Sequence, residues 1–386
     1  MTLNVRAARR HSTLTGACWG GAAIIVALVR NHAWATPNIS AFSSAASHLG
    51  SNPIPGKGDY ILTNWLPMLV QRGLGQTRPH EIVRLSLLIW AVSMVTISVW
   101  VARAFGTRAA ACVAVLLALA PVSTTTLEWL GQPDPFTILA AAALVLARRR
   151  CVVVAWGAVL GMTHPEQGVL IVLAAAIAWS VVESAPVTWK TCANRAVLGT
   201  AGLLLGRGAL EIYFRVNNIA LSGSRWSVFT DTIGELAAHH RIAPGWMLYA
   251  MFGPLWLLIG VHHARASRSH ALDRSRWRWL LLGVALGLLG MLLTFDQTRV
   301  FSLVTVPVVI AMAIQISREV QWDYRELAVV ALIGAALPGV FTAGKVYGAK
   351  DLPISEFVDF VKDGRVPGGS VDAWAFKPFP FKIPGT

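Results

Sequence analysis

Apolar runs recur from Gly16 to Phe341, each closed by an arginine or by a short turn rich in proline and glycine. Most are long enough to meet the ~17–25 residues an α-helix needs to cross a bilayer. The pattern predicts eleven crossings, near 14–30, 84–104, 109–125, 134–148, 151–163, 166–182, 196–213, 244–262, 278–294, 300–317 and 326–343. "FTILAAAALVLA" and "CVVVAWGAVLGM" fall short of that length, so they are two short spans or a re-entrant pair. Because they come together, the sidedness of everything downstream is the same either way. The fold class expected is all-α, a polytopic membrane domain over 1–343 with a tail over 344–386.

Two polar stretches break the pattern. Within the first long loop, 31–83, Ile61, Leu62, Trp65, Leu66 and Leu69 of "KGDYILTNWLPMLVQRGLG" follow helical spacing. The stretch is too short and too polar to span. It predicts a helix along the membrane surface, with Trp65 at headgroup level and Pro67 bending it. In the tail, "ISEFVDFVKDG" predicts one short amphipathic helix ending at Gly364. The Pro- and Phe-rich end beyond it is extended chain laid over the loops, as a lid, or disordered.

Composition agrees with a membrane protein: 55% of residues are hydrophobic and 13% charged, against about a quarter charged in soluble domains. The net charge of +14 does not imply nucleic acid, because the basic residues are scattered at the ends of apolar runs rather than gathered in a stripe. They instead set an orientation. With the N-terminus in the cytoplasm, the inside segments carry Arg6, Arg9 and Arg10, Arg103 and Arg108, Arg148 to Arg150, Lys190 and Arg195, Arg265 to Arg278, and Arg318 with Arg325. The first apolar run lacks a nearby cleavage site and reads as an uncleaved helix. The location expected is the inner (plasma) membrane, with the tail outside. Cys18, Cys112, Cys151 and Cys192 lie near inside ends of spans and lack the paired spacing of a disulfide or metal site.

The outer turns then hold the chemistry: Asp59, Glu81, Glu128, Asp134, Glu166, Asp231, Glu235 and Asp296, with His164 and Arg299. Glu81 and Glu235 read as solvated caps. Arg207 and Glu211 lie four apart inside an apolar run, as an ion pair between helices or as part of a ligand site. Asp59 opens the surface helix, where it is an N-cap or a catalytic acid. In "EWLGQPDPF", Asp134 either caps a helix after a tight turn or lines a pocket with Glu128.

Taken in order, these motifs resemble the GT-C superfamily of membrane glycosyltransferases, which use polyprenyl-phosphate sugars. "GDY" at 58–60 with "LTNWLPMLVQRGLG" looks like the family's acidic outer loop with surface helices. "LGQPDPFTILAAAALVLARRR" is similar to the G-x-x-D, apolar helix and basic stop of its mannosyltransferase branches. "MTHPEQGVLIVLAAA" looks like the next outer turn, and "FDQTRVFSLVTVP" like the late turn that brings an arginine to the lipid phosphate. Asp59 stands alone where many members pair acids.

The resemblance implies an inverting hexosyl- or pentosyltransferase that moves a sugar from a polyprenyl-phosphate donor to a glycan or lipid-linked acceptor outside the membrane. Such transfer needs a base for the acceptor hydroxyl and cations for the leaving phosphate. The roles implied are Asp59 as base, Arg299 on the phosphate with Asp296 orienting it, and Glu128, Asp134, His164 and Glu166 lining the pocket, with Arg207 and Glu211 as further ligands. No metal ligands are implied, and the cofactor is unknown, with assistance by a divalent cation left open. Three other readings compete: a polysaccharide polymerase acting on lipid-linked repeat units, a lipid-linked sugar transporter or flippase, and a non-catalytic scaffold. Transport calls for mid-membrane polar groups, broken helices and internal repeats. The sequence has no visible repeat.

Overall fold

The computed structural model describes residues 2–53, 59–183, 186–221, 234, 244–294, 296–343, 346–348 and 353–376. Each apolar run in it is wholly or largely helical. In chain order come α1 (Thr2–Asn31), α2 (Ile39–Ser47), α3 (Asp59–Leu62), α4 (Trp65–Gly73), α5 (Pro79–Phe105), α6 (Thr107–Leu119), α7 (Pro121–Glu128), α8 (Asp134–Leu146), α9 (Arg150–Gly161), α10 (Pro165–Glu183) and α11 (Trp189–Val216). A bent pair, Pro244–Phe252 and Leu255–Arg268, is followed by Arg274–Leu292, a central helix Gln297–Glu319, and Tyr324–Ala336.

The chain is a multi-pass membrane protein. Among the described residues six helices are long and apolar enough to cross, or up to eight if each bent pair is one span. Each of the eleven expected segments contains helix, but only six to eight have the length and hydropathy of a crossing, so the count of eleven crossings is not shown. α8 and α9 have 13 and 12 residues, about 20 and 18 Å at the α-helical rise. Proline explains the bent pairs. Pro121 and Pro254 each lack the N–H that would continue a helix, and the axes turn by 51° between α6 and α7 and by 80° at Gly253–Pro254.

The central helix is buried on every face from Gln297 to Ile316, as expected of a helix apolar all round. α6, α8, α10 and Arg274–Leu292 pack around it. Contacts of Arg103, Arg148, Arg265 and Arg276 with neighbouring helix ends mark one end of the bundle, the basic end. There the arginines do structural work beyond orientation. Arg195 Nη2 donates to Ala147 O at 2.6 Å, and Arg318 Nη2 to Val182 O at 2.8 Å. Both satisfy carbonyls left over at helix C-termini. Glu319 closes the same end of the central helix. It accepts from Gln315 Nε2 at 2.7 Å, Asp273 N at 2.8 Å and Trp277 Nε1 at 3.0 Å, and meets His262 Nε2 at 2.8 Å. Cys112 and Cys192 are buried, Cys18 and Cys151 exposed, and all four are free.

The opposite end carries a second apolar core outside the bundle. Trp34, Ile39, Phe42, Ile61, Leu62 and Met68 from the first loop meet Phe357, Phe360 and Trp374 from the tail. The predicted single surface helix is broken into α3 and α4 at Thr63–Asn64, because burying Ile61, Leu62 and Met68 in this core demands a change of direction. Pro67 lies in the first turn of α4, where it ends nothing. Trp65 is half-buried against Tyr213, ring centres 4.8 Å apart. The tail helix, Ile354–Asp363, forms as expected and stops at Gly364, φ +72°. A second correction concerns the last apolar run. Its helix ends at Ala336, and after Pro338 the chain forms a hairpin, Val340–Thr342 with Val346–Gly348. The fold is thus all-α with one small hairpin. The final residues of the tail lie outside the described residues, as do Asp231 and Glu235.

α9 and α11 approach through facing glycines. "GAVLG" at 157–161 and "GLLLG" at 202–206 are both small-xxx-small motifs. A Cβ at Gly206 would overlap the Ala158 carbonyl oxygen and one at Gly202 that of Val154, whereas Gly208 faces open space. Gly206→Leu is expected to destabilise the fold by at least the ~1–3 kcal/mol of an overpacked core, read as a lowered melting temperature in detergent. Gly208→Leu on the same helix leaves it unchanged.

Candidate functional site

After α1 the chain runs beside the segment that follows α7. Trp34 N donates to Leu127 O at 2.8 Å, Leu130 N to Trp34 O at 3.0 Å and Thr36 N to Leu130 O at 2.9 Å. Gly131 then turns at φ +107°, a conformation that suits glycine, and a Cβ there would press on Ile39. This turn aims the next three residues inward. Gln132 donates through Nε2 to Thr36 Oγ1 at 2.9 Å, so its Oε1 is left facing Arg299. Pro133 occupies the N-cap position, and Asp134 is the first residue of α8, with 0% exposure.

Arg299, in the first turn of the central helix, meets that carboxylate sideways on. Its Nε lies 2.8 Å from Asp134 Oδ2 and 3.1 Å from Oδ1, and Nη2 lies 2.6 Å from Oδ1. This is the paired-donor geometry in which arginine excels. Nη2 also reaches Gln132 Oε1 at 3.2 Å and His164 Nε2 at 3.4 Å. The guanidinium lies 5.6 Å from the Trp129 ring centre. Since arginine only donates, Nε2 of His164 is the acceptor. Its Nδ1 then carries the proton and donates to Thr137 Oγ1, 2.8 Å away. The imidazole thus lies between an arginine and a hydroxyl. Above the group, the hairpin ties down the same helix terminus. Thr342 N donates to Thr298 Oγ1 at 2.8 Å, and Phe341 sets its ring edge-on to Trp129. Burial pushes the Tyr347 hydroxyl of this hairpin above its ordinary pKa.

Asp134, His164 and Arg299 are thus brought together, with corrections to their expected roles. The principal partner of Arg299 is Asp134, 165 residues away. Asp296 does pair with Arg299 as expected, half-exposed and at the longer distance of 3.5 Å from Nη1. Glu128 and Asp134 are both buried, and Pro133 rather than Asp134 holds the N-cap position of α8. Glu166 is exposed in the first turn of α10. Arg207 and Glu211 pair with each other along one face of α11, half-exposed, so they form neither a bridge between helices nor part of the Arg299 group. Asp59 opens α3, but its side chain lies outside the described residues. Among the described residues no group of His, Cys, Asp and Glu could hold a metal ion.

Sequence reasoning missed Gln132, Thr137 and Trp129, uncharged groups without a motif of their own. It also missed Arg30, which reads as the plain end of a span. Arg30 is 6% exposed. It donates to Asn31 Oδ1, Leu119 O and Thr124 Oγ1 at 3.1–3.3 Å. Close by, a narrow apolar cleft lies between the bent pair and the central helix, lined by Pro121, Phe252, Leu255, Phe301, Val309 and Met312 among others.

Comparison with protein-family models, curated proteins and solved structures returned no match.

Removing one partner of a buried ion pair strands the other charge, at a cost of ~3–5 kcal/mol. Asp134→Ala and Arg299→Ala are each expected to lose that much in detergent unfolding. The double variant should lose clearly less than the sum, and additive losses would show that the pair is not coupled.

Proposed function

We propose that this protein is a membrane glycosyltransferase that moves a sugar from a polyprenyl-phosphate donor to a glycan or lipid-linked acceptor at the extracytoplasmic face. The observation that carries the reading is the buried Asp134–Arg299–His164 group, set at the head of the central helix and beside an apolar cleft. Polar donors at one end, joined to a hydrocarbon slot, suit a substrate with a polar head and a greasy tail. Asp59, on the loop above, is the proposed base. It takes the proton of the acceptor hydroxyl as that oxygen attacks the anomeric carbon, and the sugar–phosphate bond breaks with inversion. The bond electrons leave with the lipid phosphate, whose charge is stabilised by fixed donors. Arg299, held by Asp134 on one edge and with Asp296 3.5 Å from its Nη1, is the proposed hydrogen-bond donor. The same substrates and site would serve a polysaccharide polymerase using lipid-linked repeat units.

A lipid-linked sugar flippase is the second reading, favoured by the two bent helix pairs, since broken helices are a feature of transporters. Against it, the Arg299 group lies at one end of the bundle instead of at mid-span.

Membranes containing the protein, given a radiolabelled polyprenyl-phosphate sugar and endogenous acceptor, are expected to transfer label. Asp59→Asn should abolish transfer while expression and melting temperature hold. Full activity in that variant removes Asp59 from the base role. Movement of the lipid-linked sugar across proteoliposomes with no label transferred would favour the flippase.

A further inference from the structure

We propose that Asp296 is a displaceable counter-ion, which neutralises the Nη1 end of Arg299 until the phosphate of the sugar donor takes its place. This rests on the transferase reading and adds to it how a phosphate gains access to a guanidinium already flanked by carboxylates. The two carboxylates hold Arg299 very differently. Asp134 has no exposure, and its oxygens lie 2.6–3.1 Å from Nε and Nη2. Asp296 lies 3.5 Å from Nη1, and its side chain is 43% exposed. Water screens and competes for an ion pair in that position, so it is weak, whereas the buried pair cannot part without stranding a charge. An anion that reaches Arg299 therefore meets one contact that yields and one that does not.

The local sequence gives Asp296 a second seat. It occupies the N-cap position of the central helix, where an aspartate ordinarily accepts from a backbone N–H two or three residues on. Here the carboxylate does not cap its helix; it is turned to Arg299 in the next turn, while its backbone N–H donates to Thr294 Oγ1 at 3.1 Å. Rotation about the side chain's own bonds is enough to exchange the guanidinium for the helix N-terminus, whose partial positive charge also favours a carboxylate. The helix need not move, because Asp134, Gln132 and Thr342 keep its first turn in place. A carboxylate and a phosphate diester each carry one negative charge, so the exchange leaves Arg299 neutralised before and after. This role differs from orientation in one measurable way. An orienting carboxylate is needed while the phosphate is bound, whereas a displaceable one hinders its arrival.

Asp296→Asn keeps the size and the capping capacity of the side chain and removes the competing charge. In membranes supplied with a radiolabelled polyprenyl-phosphate sugar, this variant is expected to show a donor KM about three- to tenfold lower than the wild-type chain. An orienting role predicts the opposite, a raised KM or a reduced kcat. Either of those results, or an unchanged KM, overturns the assignment. Where the wild-type chain transfers no sugar, the transferase reading fails on its own account, and the counter-ion is tested with inorganic phosphate instead. The purified full chain in detergent is then followed by thermal unfolding, with chloride at matched ionic strength as the control. Phosphate should raise the melting temperature of Asp296→Asn at a concentration about threefold or more below that needed by the wild type. Equal responses, or no response in either chain, sink the proposal.

Discussion

The bidentate contact between Asp134 and Arg299 is the constraint on which the rest of this end depends. Both groups are buried, and neither can be ionised there alone without a large desolvation penalty. Their mutual neutralisation fixes the start of α8 against the start of the central helix, across 165 residues of chain. Once that distance is set, Gln132, His164 and Trp129 have little freedom, because each is placed by the same guanidinium. The Gly131 turn and the Thr298–Thr342 contact then follow as the backbone's accommodation to a pinned pair.

The central helix carries this constraint through the membrane. Glu319 at its other terminus gathers His262, Gln315, Trp277 and the Asp273 backbone. A helix buried on all faces has no amphipathic preference to set its rotation. Here polar anchors at both ends supply it, fixing both the depth and the angle of a cylinder that side-chain packing alone would specify weakly.

Much of the bundle was legible in the order of apolar runs and arginines, because helix length and charge at turns are local properties. Asp134, His164 and Arg299 could be named from their turns. Their pairing could not: a neighbour three residues away, Asp296, is visible in sequence, whereas a carboxylate on a different helix is not. Gln132 and Thr137 left no trace because a lone amide or hydroxyl in a loop is ordinary. Arg30 looked like the end of a span, and nothing local distinguishes a solvated arginine from one folded under a neighbouring turn. The hairpin was hidden because "LPGVFTAGKV" continues the hydropathy of the helix before it. The division into α3 and α4 comes from burial against a tail some 300 residues away, which periodicity within the loop does not register.

The second apolar core has a consequence for biogenesis. Trp34 emerges early in synthesis, yet its ring is covered by Trp374, 4.3 Å away between centres, and by Phe357 at 6.2 Å. The partners that complete its shell follow it by more than 320 residues. Every helix of the bundle precedes them in the chain, so this aromatic face can be covered only after the whole bundle has been made.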